Sequence, residues 1–118
     1  MTESILNSIK QMLGITKDYK AFDNDIITDI NTVLAILVQM GLGKANFILE
    51  GESETWDDFL GDDPHLSLVK TYVFMKVKLM FDIPTSGPTI EAYNRQISEL
   101  EWRINAVVDP EDDNSLME

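Results

Sequence analysis

The residues best equipped for chemistry lie at Asp62-Asp63-Pro64-His65, where the only histidine of the chain follows two carboxylates. Imidazole and carboxylate together can bind a metal ion or move a proton. One histidine and two adjacent carboxylates, however, lack the ligand number and spacing of a zinc or calcium site. His65 therefore reads as part of a helix start. Gly41-Leu42-Gly43-Lys44 has the glycines and the lysine of a phosphate-binding turn, but it follows a helical repeat instead of a strand and lacks the remaining motif positions. Serine and threonine hydroxyls have no paired base. The chain contains no cysteine, which excludes a thiol nucleophile, cysteine-ligated zinc and a disulfide framework. Carboxylate pairs are abundant, yet they fall in acidic stretches where such pairs arise without a general-acid role. The sequence predicts no catalytic residue, no cofactor and no metal site, and hence a protein that is not an enzyme.

Charge sets the next bound. Twenty-one acids against 9 bases give a net charge of −12, which repels nucleic acid and anionic membrane unless a basic patch stands out. The nearest candidate is Lys70, Lys76 and Lys78. Those lysines ride on an apolar stretch, so they are expected to snorkel from a buried helix and pair with surface acids. Seven acids crowd between Glu50 and Asp63 with no base among them, and Asp109, Glu111, Asp112, Asp113 and Glu118 fill the C-terminal end. The plain reading is a solvated loop and a flexible tail; the sharper one is that some of these charges face a passage or a partner.

The elements that must position these groups are helical. A chain of 118 residues with 44% hydrophobic content is one domain able to bury a core. Met1-Thr2-Glu3-Ser4 lacks the basic and apolar regions of a signal peptide. No apolar run approaches the roughly 20 residues a bilayer requires. A soluble intracellular protein is expected. Ile5, Leu6, Ile9, Met12 and Leu13 form one stripe, stopped by Gly14. Asp23 is expected as the N-cap of a second helix, with Phe22 and Ile27 as a hydrophobic staple and apolar residues repeating to Met40. Thr55–Leu60 reads as a single capped turn, with the Thr55 hydroxyl offered to the Asp58 amide. A third helix is expected to start with Asp63 as N-cap and Pro64 at the first helical position and to break at Asp82-Ile83-Pro84. The fourth carries Ile90, Tyr93, Ile97, Leu100, Ile104 and Val107 at alternating spacings of three and four. Trp102 lies off that seam. The prediction is an all-α, compact bundle of about four helices with one irregular acidic loop and a flexible C-terminal tail.

Several of these segments carry a resemblance. The Asp23–Asn31 stretch of the second helix, TWDDFLG at 55–61, VKTYVFMKVKLMFDIPTS at 69–86 and ISELEWRINAVVDP at 97–110 occur in an order similar to that of the small head–tail connector, or adaptor, proteins of tailed bacteriophages and prophages. The resemblance covers about residues 2–110. It implies a helical connector domain over residues 1–108 and an acidic tail over 109–118. The subunit would form a ring of about twelve copies at the virion neck, dock on the portal protein and extend the DNA channel. A stopper or tail-completion protein would follow, and DNA would pass without specific binding and without membrane contact. Synthesis would be in the host bacterial cytoplasm.

Candidate residues follow from that resemblance. Val108, Asp109, Pro110, Glu111, Leu116 and Met117 map to the segment that reaches the portal. Tyr93, Arg95, Trp102 and Arg103 are candidates for the subunit interface, along with the exposed side of the second helix. Arg95 and Arg103 are equally placed for ordinary pairs with Glu91 and Glu99. Glu52, Glu54, Asp57, Asp58, Asp62 and Asp63 are candidate acids of the channel or rim, where negative charge keeps DNA from sticking. The alternatives are an acidic DNA mimic or a helical regulatory protein that inhibits a partner. A mimic would lay its acids in rows along helix faces, whereas here they gather in a loop and a tail.

Overall fold

Two glycines in the left-handed region close the first two helices of the computed structural model, which describes residues 3–108. The helices are α1 (Ile5–Met12), α2 (Asp23–Gln39), α3 (Trp56–Leu60), α4 (Leu66–Phe81) and α5 (Gly87–Val108). At the end of α1, Gly14 has φ +85°, and the amides of Gly14 and Ile15 reach back to the carbonyls of Gln11 and Lys10. At the end of α2, Gly41 has φ +99°, and Gly41 and Leu42 bond Val38 and Leu37 in the same way. Both are Schellman closures, which satisfy carbonyls that the helix leaves without partners. The fold is all-α, as the hydrophobic periodicity predicts, and no strand occurs among the described residues beyond an isolated antiparallel bridge between Ser4 and Thr55. The fifth helix, α3, is the expected capped turn at 55–60.

Helix starts divide into expected and corrected. Ser4 caps α1 through the Asn7 amide. Thr55 and Asp58 form a reciprocal capping box on α3, so two amides at its N-terminus have side-chain partners. Asp23, expected as the N-cap of α2, is instead its first helical residue, and Phe22 occupies the cap position without a side-chain bond. The reason is competition: the Asp23 carboxylate is taken by the Lys10 ammonium at 2.7 Å. Helix α4 likewise begins at Leu66, later than Pro64. Asp63 folds the preceding turn by accepting the His65 amide at 2.8 Å and facing its Nδ1 at 2.8 Å. Aspartate favours such local turns because its short side chain competes with helical bonding.

The core lies between α2 and α4, with α1 crossing both and α5 covering the other side of α4. Ile26, Ile30, Val33, Leu34 and Leu37 of α2 meet Val69, Tyr72, Val73 and Val77 of α4 in a fully buried layer. From the irregular region, Trp56 and Phe59 tuck into this layer. Gly43 sits so close to Phe59 that an added Cβ would fall 2.2 Å from the ring. The seam of α5 buries Ile97 and Ile104 and leaves its other members partly covered. Helix α5 is therefore packed along one face, and the opposite face stands in solvent.

Polar groups pin the frame where apolar packing cannot. Trp56 donates its indole N–H to Ser8 Oγ at 2.8 Å, fully buried. The Asn31 carboxamide donates to the Leu49 carbonyl at 3.0 Å and accepts its amide at 2.8 Å. Tyr72 donates to Glu101 across the α4–α5 contact at 2.9 Å. Burial and the neighbouring Glu101 carboxylate push the Tyr72 phenol well above its ordinary range, so it stays a donor.

Candidate functional site

Lys10 organises one end of the bundle. Its side chain is fully buried, and the ammonium donates to the Lys17 carbonyl at 3.2 Å, the Tyr19 carbonyl at 2.7 Å and Asp23 Oδ1 at 2.7 Å. An ammonium has three donors, and here each has a partner. The α1–α2 connection is thereby folded against the start of α2. Tyr19 and Phe22 meet edge to face at 5.5 Å, and Phe22 meets Phe81 at 5.4 Å.

This arrangement opens a groove of about 690 Å³ between the first half of α2 and the last turn of α4. Its apolar surface comes from Leu13, Ile15, Phe22, Met80 and Phe81, and its rim from Asp25, Asp29 and Asp82. Asp82 is paired with Lys78 at 2.7 Å. Asp29 has its carboxyl held above the ordinary range, first by partial burial and then by the nearby Asp25 charge. The groove thus offers apolar contact beside Asp25 and Asp29, which have no counterion among the described residues, and no nucleophile–base pair lines it among those residues. The acid pair Asp25 and Asp29, at i,i+4 beside the apolar stripe of α2, is the sequence signal that could have marked it; Lys10, fourth after Leu6 on the α1 stripe, is another.

The interface candidates separate onto two faces of α5. Tyr93 lies on the core seam and is half-buried. Arg95, Trp102 and Arg103 all point outward, and Trp102 is 69% exposed. Positions 95, 99 and 102 share one helix side, since steps of four and seven residues stay within about 40° of one bearing, and 103 flanks that side at about 80°. Arg103 pairs with Glu99 at 2.7 Å. Arg95 makes no such pair with Glu91, and has no ion pair among the described residues.

The loop acids are scattered among local duties. Glu52 meets Asn7 Nδ2 at 3.2 Å and Lys20 at 3.3 Å. These two bonds lower its carboxyl below the ordinary range, and Lys20 supplies a base that the linear spacing did not bring near. Glu54 accepts the amides of Glu50 and Gly51. Asp58 serves the capping box and Asp63 the turn before α4. Asp57 and Asp62 stand exposed. Of the α4 lysines, Lys70 reaches Glu3 and Lys78 reaches Asp82, as expected of snorkelling side chains. Val108 ends α5 against Gly41, while the portal-segment candidates Asp109, Pro110, Glu111, Leu116 and Met117 lie outside the described residues.

No group of three or more potential ligands could hold a metal among the described residues, and none of their helices is long and apolar enough to cross a membrane. Comparison with curated proteins gives no match, and comparison with solved structures gives none either. Comparison with protein families matches residues 5–111 to the phage connector protein family. That span runs from the first residue of α1 through the whole of α5 and includes every segment on which the connector resemblance rests, so the chain belongs to the phage connector protein family.

Proposed function

We propose that this protein is an adaptor subunit of the phage neck. It assembles into a ring on the portal vertex, lengthens the DNA channel and presents a surface to a stopper or tail-completion protein. The observation that carries this reading is membership of the connector family across residues 5–111. The chemistry agrees with it: a chain of net charge −12 neutralises few phosphates, so DNA can slide past without being held. A frame of buried helices joined by satisfied polar contacts suits a part that is repeated around an axis rather than one that turns over substrate.

The test is electron microscopy of purified portal mixed with the full chain, alongside neck particles from virions. A ring of density below the portal that fits this bundle supports the adaptor. Virions whose necks lack the polypeptide would overturn it. The rim role of the loop acids is tested at Asp57 and Asp62, whose side chains make no hydrogen bond or ion pair among the described residues, by Asp57→Lys with Asp62→Lys. Impaired DNA retention or ejection in a normally folded subunit is expected; unchanged infectivity rejects a channel role for these two acids.

A further inference from the structure

The groove between the start of α2 and the end of α4 and the outward face of α5 are complementary, and no other described residue covers either. The groove combines an apolar floor with Asp25 and Asp29, whose charges crowd one another. The α5 face combines Trp102, the most exposed large hydrophobic among the described residues, with the exposed Arg95. The chain has only two arginines, Arg95 and Arg103, and both are exposed on α5, Arg95 beside Trp102 and Arg103 at the flank. Tryptophan and arginine are among the residue types enriched at the energetic centres of protein contacts. Two copies of a chain at −12 repel on average, so association requires a local cation brought onto a local anion.

Trp102 does not reach the groove of its own molecule. Glu101, next to Trp102, is bonded to Tyr72 in the first half of α4, whereas the groove is built on Met80 and Phe81 at its end. Nine helical residues separate those levels, about 13 Å along the axis. An offset contact between unlike surfaces is heterologous, and repetition of such a contact closes into a ring or continues as a filament.

We infer that Trp102 and Arg95 of one copy seat in the groove of the next, with Trp102 against Phe22, Met80 and Phe81 and Arg95 against Asp25 and Asp29. This inference rests on the ring reading above and names the contact that would build it. Arg103 stays tied to Glu99 and Asp82 to Lys78, so the seated pair adds a counterion where one is lacking and leaves the existing pairs intact.

The absence of native cysteine permits a clean cross-linking test in the full-length chain. Thr28→Cys places a thiol at the groove, and Ser98→Cys places one on the α5 face; both positions are exposed. With a short bismaleimide, the double variant is expected to give a ladder of linked oligomers. An equal mixture of the two single variants should give linked pairs only, and each single variant alone should give none. Trp102→Ala or Arg95→Glu should lower the cross-linked yield about tenfold, and Asp29→Arg should restore it in the Arg95→Glu background. Links within Thr28→Cys alone, or no ladder from the double variant, overturn the inference. The two readings fail separately. A ring seen by microscopy without the ladder leaves the adaptor standing and removes this contact; a ladder from a protein missing from virions does the reverse.

Discussion

Lys10 Nζ lies 2.7 Å from Asp23 Oδ1, joining the last turn of α1 to the first of α2 around a cation that has no access to solvent. The pair is one-sided. The ammonium is fully enclosed, while the carboxylate keeps some contact with water, so losing the acid and losing the base have unequal consequences.

Truncating the base removes the ammonium and orphans two loop carbonyls, whereas neutralising the acid leaves those two bonds in place. Lys10→Ala should lower unfolding stability by about 3 kcal/mol, near the range for breaking a buried pair. Asp23→Asn should lower it by about 1–2 kcal/mol. Urea titration with an unchanged m-value checks both. Equal losses would mean that the carbonyl bonds contribute little.

The Trp56–Ser8 bond is enclosed on every side, so its loss strands a donor. Ser8→Ala should cost about 1–2 kcal/mol in the native background and close to nothing once Trp56→Phe has removed the indole N–H. A double-mutant cycle measures that coupling. Additive losses would show that Ser8 matters through packing alone.

At Gly43 two penalties coincide: φ of +96°, and a Phe59 ring that an added Cβ would strike. Gly43→Ala should destabilise by about 2–4 kcal/mol. Gly14→Ala, with similar φ but open space, should cost about 1 kcal/mol. Thermal unfolding of the two variants side by side isolates the steric part, and matching midpoints would remove it.

Asp29 and Glu52 should bend the pH profile in opposite directions. Asp29 has a raised carboxyl in the folded state, so its favourable contribution is present below the ordinary carboxylate range and lost as pH rises through the folded value. Asp29→Asn should therefore gain a few tenths of a kcal/mol at neutral pH, discounted for screening, and nothing in acid. Glu52 is lowered, so its contribution is present at neutral pH and lost as pH falls through the folded value. Glu52→Gln should be the less stable of the two at pH 7, with the difference shrinking in acid. Unfolding midpoints collected from pH 3 to 7 (a span of about 4 pH units around ordinary carboxylates) test the sign of each.

Asp57 and Asp58 are adjacent acids with different duties. Asp58→Lys breaks the capping box of α3 and should cost about 1 kcal/mol. Asp57→Lys should stay within about 0.5 kcal/mol. Chemical denaturation separates them, and equal losses would discount the box.

Legibility in the sequence followed the range of the interaction involved. Gly14 and Gly41 were readable as helix ends because a Schellman closure is decided by neighbouring residues. The Thr55–Asp58 bond was readable for the same reason, as was the α5 seam from its repeat. Asp23 and Asp63 have the side chain of an N-cap, but each had a stronger partner elsewhere, Lys10 for one and the His65 amide for the other. A spacing rule cannot weigh such a partner when it lies 13 positions away. Lys10 itself was invisible as a buried group because lysine is usually solvated. The outward placement of Trp102 could be read from the helical period, whereas the groove could not: its walls come from the α1–α2 connection, α2 and the end of α4, and only packing brings them together.

The two bonds between the Asn31 carboxamide and Leu49 have a bearing on how this molecule keeps its shape. A side-chain amide has the same donor and acceptor as a peptide unit, so one helical residue plays the part of a missing neighbouring strand. The irregular run at 47–50 is thus held beside a helix without a strand ladder, with the Leu49 amide taken by Asn31 and the Glu50 amide by Glu54. The gain is economy: one helical side chain fixes an irregular segment and occupies backbone groups that would otherwise stand open to another chain.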